Sequence, residues 1–233
     1  MNPGKVYLIP TVLYDNAMET IPAYLLDAVK ECPVFFVENE KTARRFLKKL
    51  WREMLIDDHR WFAIHKAEEE VKKSFLAILK EGKNIGIISE AGCPGVADPG
   101  QVLVKAAQEN NIAVKPLVGP SSILLALMAS GMNGQCFQFH GYLPIDSSER
   151  KKKIRDLEAD SHKRHCTQIF IETPYRNNVL LKDLLDSCRP ETFICAAVDI
   201  TAASESIQTK TVKEWKKQVP DIHKRLAIFL MQA

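Results

Sequence analysis

The chain has 233 residues, 46% hydrophobic and 26% charged, which excludes a disordered or fibrous protein and suits one large or two small α/β domains. Its 32 basic and 29 acidic side chains leave a formal charge of +3. That excludes a polyelectrolyte that binds nucleic acid with its whole surface, so any such contact must come from local clusters of Lys and Arg.

In chain order, the first apolar run, Val6–Ile9, reads as a strand and stops at Pro10. It is too short for a signal peptide or a membrane span, which points to a cytoplasmic protein. Val34–Val37 and residues 61–64, 84–88 and 113–117 are further strands. Residues 21–29, 42–50, 68–79 and 102–108 carry apolar side chains at helical spacing between them. Residues 51–61, with Trp51, His59 and Trp61, are either an extension of the preceding helix, a lid or a packed aromatic connection. After the Gly119-Pro120 turn a helix over 121–130 ends at Gly131. The alternation then resumes: strand Phe137–Tyr142, basic helix 147–159, strand 168–171, helix 177–185, strand Phe193–Val198, strand 205–209, helix 212–218 and strand 226–231. Strands alternating with helices predict two α/β domains, 1–117 and 118–233, with mostly parallel sheets and a ligand cleft between them.

The six cysteines show no metal-ligand or redox spacing and read as free, mostly buried thiols. The six histidines have no zinc spacing either, so no metal site is expected. Neither a dinucleotide fingerprint nor a P-loop is present.

The most informative stretch is Ser89-Glu90-Ala91-Gly92-Cys93-Pro94-Gly95-Val96-Ala97-Asp98-Pro99-Gly100, between a strand and a helix. Such a connection is far longer than an ordinary strand-to-helix loop, and in parallel sheets it lies where ligands bind. Asp98 can cap the following helix or bind a ligand amine. Val118-Gly119-Pro120-Ser121-Ser122 repeats the arrangement, and its two hydroxyls either cap a helix or meet a polar ligand group.

Taken with Gly141-Tyr142-Leu143-Pro144, Ile171-Glu172-Thr173-Pro174-Tyr175-Arg176 and the opening Val6-Tyr7-Leu8-Ile9-Pro10-Thr11, these segments resemble the tetrapyrrole methylase superfamily. Within it they are most similar to the 2′-O-methyltransferases that modify a cytidine of small-subunit ribosomal RNA. The resemblance implies S-adenosyl-L-methionine as cofactor and a homodimer. It puts Pro10, Val96, Ala97, Asp98, Gln101, Ser121, Ser122, Ile171 and Thr209 at the cofactor, and ribosomal RNA or the small ribosomal subunit as partner. It departs at three places. Thr11-Val12-Leu13-Tyr14-Asp15-Asn16 replaces Thr-Pro-Ile-Gly-Asn-Leu, Glu38-Asn39-Glu40-Lys41 replaces Glu-Asp-Thr-Arg, and Asp199-Ile200-Thr201-Ala202 replaces Glu-Leu-Thr-Lys.

Methyl transfer to a hydroxyl benefits from a base, and Glu172, Glu38 and Asp199 lie at or near strand ends. Arg176 either holds a phosphate or orients Glu172. Two basic clusters, Arg150-Lys151-Lys152-Lys153-Ile154-Arg155 with 162–165, and Arg44-Arg45 with Lys48-Lys49, read either as solvated helix faces or as an RNA-binding surface. A tetrapyrrole or protein acceptor, and a non-catalytic binding protein, are the competing readings.

Overall fold

A computed structural model describes residues 3–64 and 68–233, and the side chain of Glu68 is not described. Met1, Asn2 and His65, which figure in the expectations on the N-terminus and on zinc, lie outside the described residues. The chain divides into two compact units, Met1–Ser121 and Ser122–Ala233.

Unit 1 is a sheet of five strands in the order β3-β2-β4-β1-β5, all parallel: β1 (Val6–Ile9), β2 (Val34–Val37), β3 (Arg60–Ala63), β4 (Ile85–Ile88) and β5 (Val114–Pro116). β2 and β4 are buried at every position, as strands covered on both faces must be. The two-residue period of β2 shows how the faces divide. Phe35 and Val37 pack with Leu25 and Val29 of α1 (Leu25–Lys30) and Phe46 and Leu47 of α2 (Glu40–Leu50). Val34 and Phe36 pack on the other face with Phe75 and Leu79 of α3 (Glu68–Lys80) and Leu103 and Ala107 of α4 (Gln101–Glu109).

Residues 51–61 are a packed aromatic connection and not a helix extension. Trp61 stacks on Phe35 at 5.0 Å, His59 lies 5.5 Å from the same ring, and the Trp61 indole donates to the Ile56 carbonyl at 3.1 Å. α1 begins at Leu25, later than the expected residue 21, because Pro22 lies ahead of it in a turn.

In unit 2 the sheet order is β6-β7-β10-β8-β9, from β6 (Phe137–Tyr142), β7 (Thr167–Ile171), β8 (Phe193–Val198), β9 (Ser206–Thr211) and β10 (Ala227–Gln232). Here the expectation of a mostly parallel sheet needs correction, because only β6 and β7 pair in parallel. β10 runs antiparallel to both β7 and β8, and β9 antiparallel to β8. The helical crossover α7 (Asn177–Ser187) does give β7 and β8 one direction, as the alternation suggests. β10 is inserted between them, however, and the short link of residues 199–205 leaves room only for a hairpin into β9.

Phe170, Ile194, Ala196, Val198, Phe229 and Met231 face α6 (Ser147–Arg164), α7 and Trp215 of α8 (Val212–Trp215). α5 (Ser122–Ser130) packs on β8, β9 and β10, with Ala126 and Leu127 buried. α6 runs one turn beyond the expected residue 159 and ends at His165, whose φ of 52° is left-handed. All six cysteines are free.

Candidate active site

In unit 1 the chain leaves β1 and β4, which lie side by side, in opposite directions: β1 leads toward β2, and β4 toward β5. Such a switch point opens a crevice at the carboxyl ends of the two strands. Pro10–Asn16 and Ser89–Gly100 are the loops that leave there, and they are tied together. The Thr11 N–H donates to the Gly92 carbonyl at 2.9 Å, and the Ser89 hydroxyl to the same carbonyl at 3.3 Å. Gly119 closes the third side, where a Cβ would lie 2.2 Å from that of Pro10, so no larger residue fits.

Asp98 organises the long loop. One carboxylate oxygen, Oδ1, accepts the N–H groups of Gly95 at 3.2 Å and Gly100 at 2.6 Å. Oδ2 is buried and has no partner among the described residues. Ala97, just before it, is held at a φ of 55°, while Val96 and Ala97 are exposed. Gln101 opens α4. The Cys93 thiol, its pKa pushed up by burial, donates toward the Pro120 carbonyl at 3.5 Å. Glu38 follows β2, and its Oε2 accepts the Glu90 N–H at 3.0 Å, which anchors this loop to the neighbouring strand end. Asn39 next to it caps α2 through the N–H groups of Lys41 and Thr42. That altered tetrapeptide therefore still opens a helix. A pocket of about 60 Å³ beside these loops is lined by Thr11, Asp15, Arg45, Ser89 and Glu90, among others.

In unit 2, Ile171 ends β7 and Glu172 follows it, buried to 6% exposure. Its Oε1 receives the Thr173 N–H at 2.6 Å and both Nε and Nη2 of Arg176, at 3.0 and 2.6 Å. Arg176 thus holds one oxygen and fixes the direction of the other. Asp199 follows β8 at the same sheet end and commits both oxygens. Oδ2 takes Arg225 Nε and the Ser204 hydroxyl, and Oδ1 the Leu226 N–H. The loop so latched carries φ of 50° at Asp199 and 73° at Thr201, an unusual strain for a β-branched residue.

Ser122 starts α5, while Ser121 belongs to the end of unit 1. Thr209 is not gathered with Ile171 and Glu172. It lies in the middle of β9, donates to the Ser130 carbonyl at 2.8 Å, and lines a separate pocket with Phe193 and Gln232.

The basic clusters differ in how their side chains are occupied. Arg150 is buried, bonded to Asp183 at 2.5 and 2.8 Å and to the carbonyls of Pro144 and Ile145. Lys151 shares Asp183, whereas Lys152, Lys153 and Arg155 are exposed. On α2, Arg44 lies 5.0 Å over the Trp61 ring, Arg45 pairs with Asp15, and Lys48 and Lys49 donate to backbone carbonyls. Spacing in the sequence gave no sign of Arg225 as the partner of Asp199. Arg150 did carry one: it shares a helix face with Ile154, Leu157, Glu158 and Ser161.

Residues 16–216 match the tetrapyrrole (corrin/porphyrin) methylases. Two proteins called ribosomal RNA small subunit methyltransferase I are similar over most of the chain. The one from Escherichia coli O157:H7 is 30% identical, over 92% of this chain and 73% of its own length. That from Vibrio cholerae is 33% identical, over 90% and 69%. Among solved structures, the methyltransferase CobJ superposes with a TM-score of 0.65 at 16% identity, covering 98% of this chain and 94% of its own. Uroporphyrin-III C-methyltransferase from Thermus thermophilus, complexed with S-adenosylhomocysteine, gives 0.57 at 16% identity, covering 98% and 97%.

Proposed function

This chain belongs to the tetrapyrrole methylase family and is an S-adenosylmethionine-dependent methyltransferase, and from that we infer that it methylates RNA of the small ribosomal subunit, at a ribose 2′-hydroxyl. The observation that carries the acceptor is its 30–33% identity to small-subunit ribosomal RNA methyltransferases over nine-tenths of its length.

The Asp98 carboxylate fits the cofactor. Its Oδ2, buried without a partner among the described residues, is costly unless a donor reaches it, and a ligand ammonium beside Val96 and Ala97 would supply one. Pro10, Gln101 and Ser121 of the same unit complete our cofactor assignment there. S-adenosylmethionine, when bound, supplies a methyl group already activated as an electrophile. The protein's task is therefore to hold and align the acceptor, which can contribute on the order of 7–11 kcal/mol. Glu172 is our candidate base, with Oε2 to accept the hydroxyl proton while Arg176 fixes its orientation. Glu38 stays a second candidate, but its bond to the Glu90 N–H suits loop anchoring better. We further propose that the enzyme is a homodimer and works in the cytoplasm. The exposed Leu124 and Met128 on one face of α5 support the dimer. No helix among the described residues is long and apolar enough to cross a membrane.

The test is transfer of labelled methyl from S-adenosylmethionine to small ribosomal subunits, naked ribosomal RNA, a uroporphyrinogen and a protein fraction. Label should appear in RNA and be released as a 2′-O-methyl nucleoside. Label confined to the tetrapyrrole or the protein would overturn the RNA reading. Cofactor binding without transfer to any acceptor would make the chain a binding protein.

A further inference from the structure

At the end of the unit 2 sheet where β7 stops, the chain turns an aromatic ring outward. Tyr175 lies in the short 3-10 turn Pro174–Arg176 and is 69% exposed, although Glu172 and Asn177 on either side are buried. Two residues of the connection into β10 flank it. The His223 ring meets it edge-on, at 5.9 Å between centroids and 74° between planes. Lys224 Nζ lies 5.9 Å from the ring centre.

Both flanking residues are fixed through their backbone. Lys224 sits at a left-handed φ of 62°, and its N–H donates to the Pro174 carbonyl at 2.9 Å. The His223 N–H donates to Asp221 Oδ1 at 3.0 Å, and the same oxygen accepts Asn178 Nδ2 at 2.8 Å. Asn178 Oδ1 in turn accepts the Ile222 N–H at 2.9 Å. Residues 221–224 are therefore fastened to the first turn of α7 and to the turn that carries Tyr175. A left-handed backbone is disfavoured for lysine because its Cβ crowds the following carbonyl, and these bonds hold it there.

The charges around the ring are unequally occupied. Arg176 is committed to Glu172 and Arg225 to Asp199, while Asp221 is taken up by Asn178 and His223. Lys224 makes no ion pair among the described residues, and its ammonium lies over the ring. An exposed aromatic ring on a fastened turn, with a cation that makes no ion pair over one side of it, is an arrangement on which proteins stack unpaired bases and receive the adjoining phosphate.

Resting on the reading of the acceptor as RNA, we propose that Tyr175, flanked by His223 and Lys224, is a stacking platform for an unpaired base of that RNA, three residues from Glu172. Stacking is indifferent to base identity, so the platform holds the strand and leaves the choice of target to other contacts.

The experiment is fluorescence anisotropy of the full chain, saturated with S-adenosylhomocysteine, titrated into fluorescein-labelled oligouridine and into an abasic oligomer of equal length. Tyr175→Ala should weaken oligouridine binding about tenfold or more, while abasic binding stays as it was. Tyr175→Trp should restore the affinity, and Lys224→Met should weaken both oligomers. Since Tyr175 is exposed, these variants should keep the circular dichroism of the parent. Oligouridine affinity unchanged in Tyr175→Ala would overturn the platform and leave the RNA reading standing. No binding of either oligomer, or of small-subunit RNA, by the parent would overturn both. A change of Tyr175→Ala from dimer to monomer, with RNA affinity intact, would assign the ring to a second copy of the chain and overturn the platform.

Discussion

Asp98 has one oxygen committed to the backbone and one buried without a donor among the described residues, and the two have separable consequences. Asp98→Asn keeps an acceptor for Gly95 and Gly100 but removes the charge that an ammonium needs. It should leave the fold intact and weaken cofactor affinity about tenfold or more, as calorimetry would read. Glu172→Gln is the matching change at the proposed base. It should lower the single-turnover rate of methyl transfer about 100-fold or more with RNA affinity little altered. An unchanged rate would remove Glu172 from the mechanism. The Asp98 loop was legible in the sequence because its glycines and prolines punctuate a link between strand and helix. The condition of individual side chains was not. Nothing in Arg150-Lys151-Lys152-Lys153 separates the buried guanidinium from the solvated ammonium groups until the apolar face of the helix is drawn through it.

Arg150 joins α6 to α7 and to the loop after β6, with side-chain exposures of 5% for Arg150 and 7% for Asp183. A buried pair that loses one partner leaves an uncompensated charge. Arg150→Ala should therefore cost about 3–5 kcal/mol in urea unfolding. Lys152→Ala, two residues along the helix and exposed, should change stability little. The elements themselves were largely readable from periodicity, since β1, β2, β6 and β8 run between the residues expected. Pairing was not, because local periodicity gives the direction of β7 and β8 but is silent on a strand from 30 residues further on entering between them. The lengths of α6 and α8 were missed for a related reason: a polar helix end carries no apolar stripe to mark where it stops.

For the whole molecule, a net charge of +3 cannot by itself draw in RNA, so salt dependence must come from a few side chains. With Arg150 and Lys151 tied to Asp183, the exposed cations of α6 are Lys152, Lys153 and Arg155 and those that follow His162. Replacing those three with Glu should flatten the plot of log affinity against log salt by roughly 0.7–0.9 per lost phosphate contact. An unaltered slope would make this face a solvated surface only. The dimer is tested by light scattering, where twice the 26.3 kDa chain mass is expected at micromolar concentration. Leu124→Glu with Met128→Glu should shift it to one.

The place of β10 between β7 and β8 also bears on how the chain is made. Every strand of unit 1 has been synthesised by Pro116, so its sheet can close while the rest of the chain is still on the ribosome. Unit 2 has no such opportunity. β6 with β7, and β8 with β9, can form pairs as they emerge, but each pair keeps an open edge until the strand that joins them is translated. For the whole of that interval two adhesive strand edges are exposed in the nascent chain. The hazard of misassembly during translation is therefore concentrated in the second half of this protein.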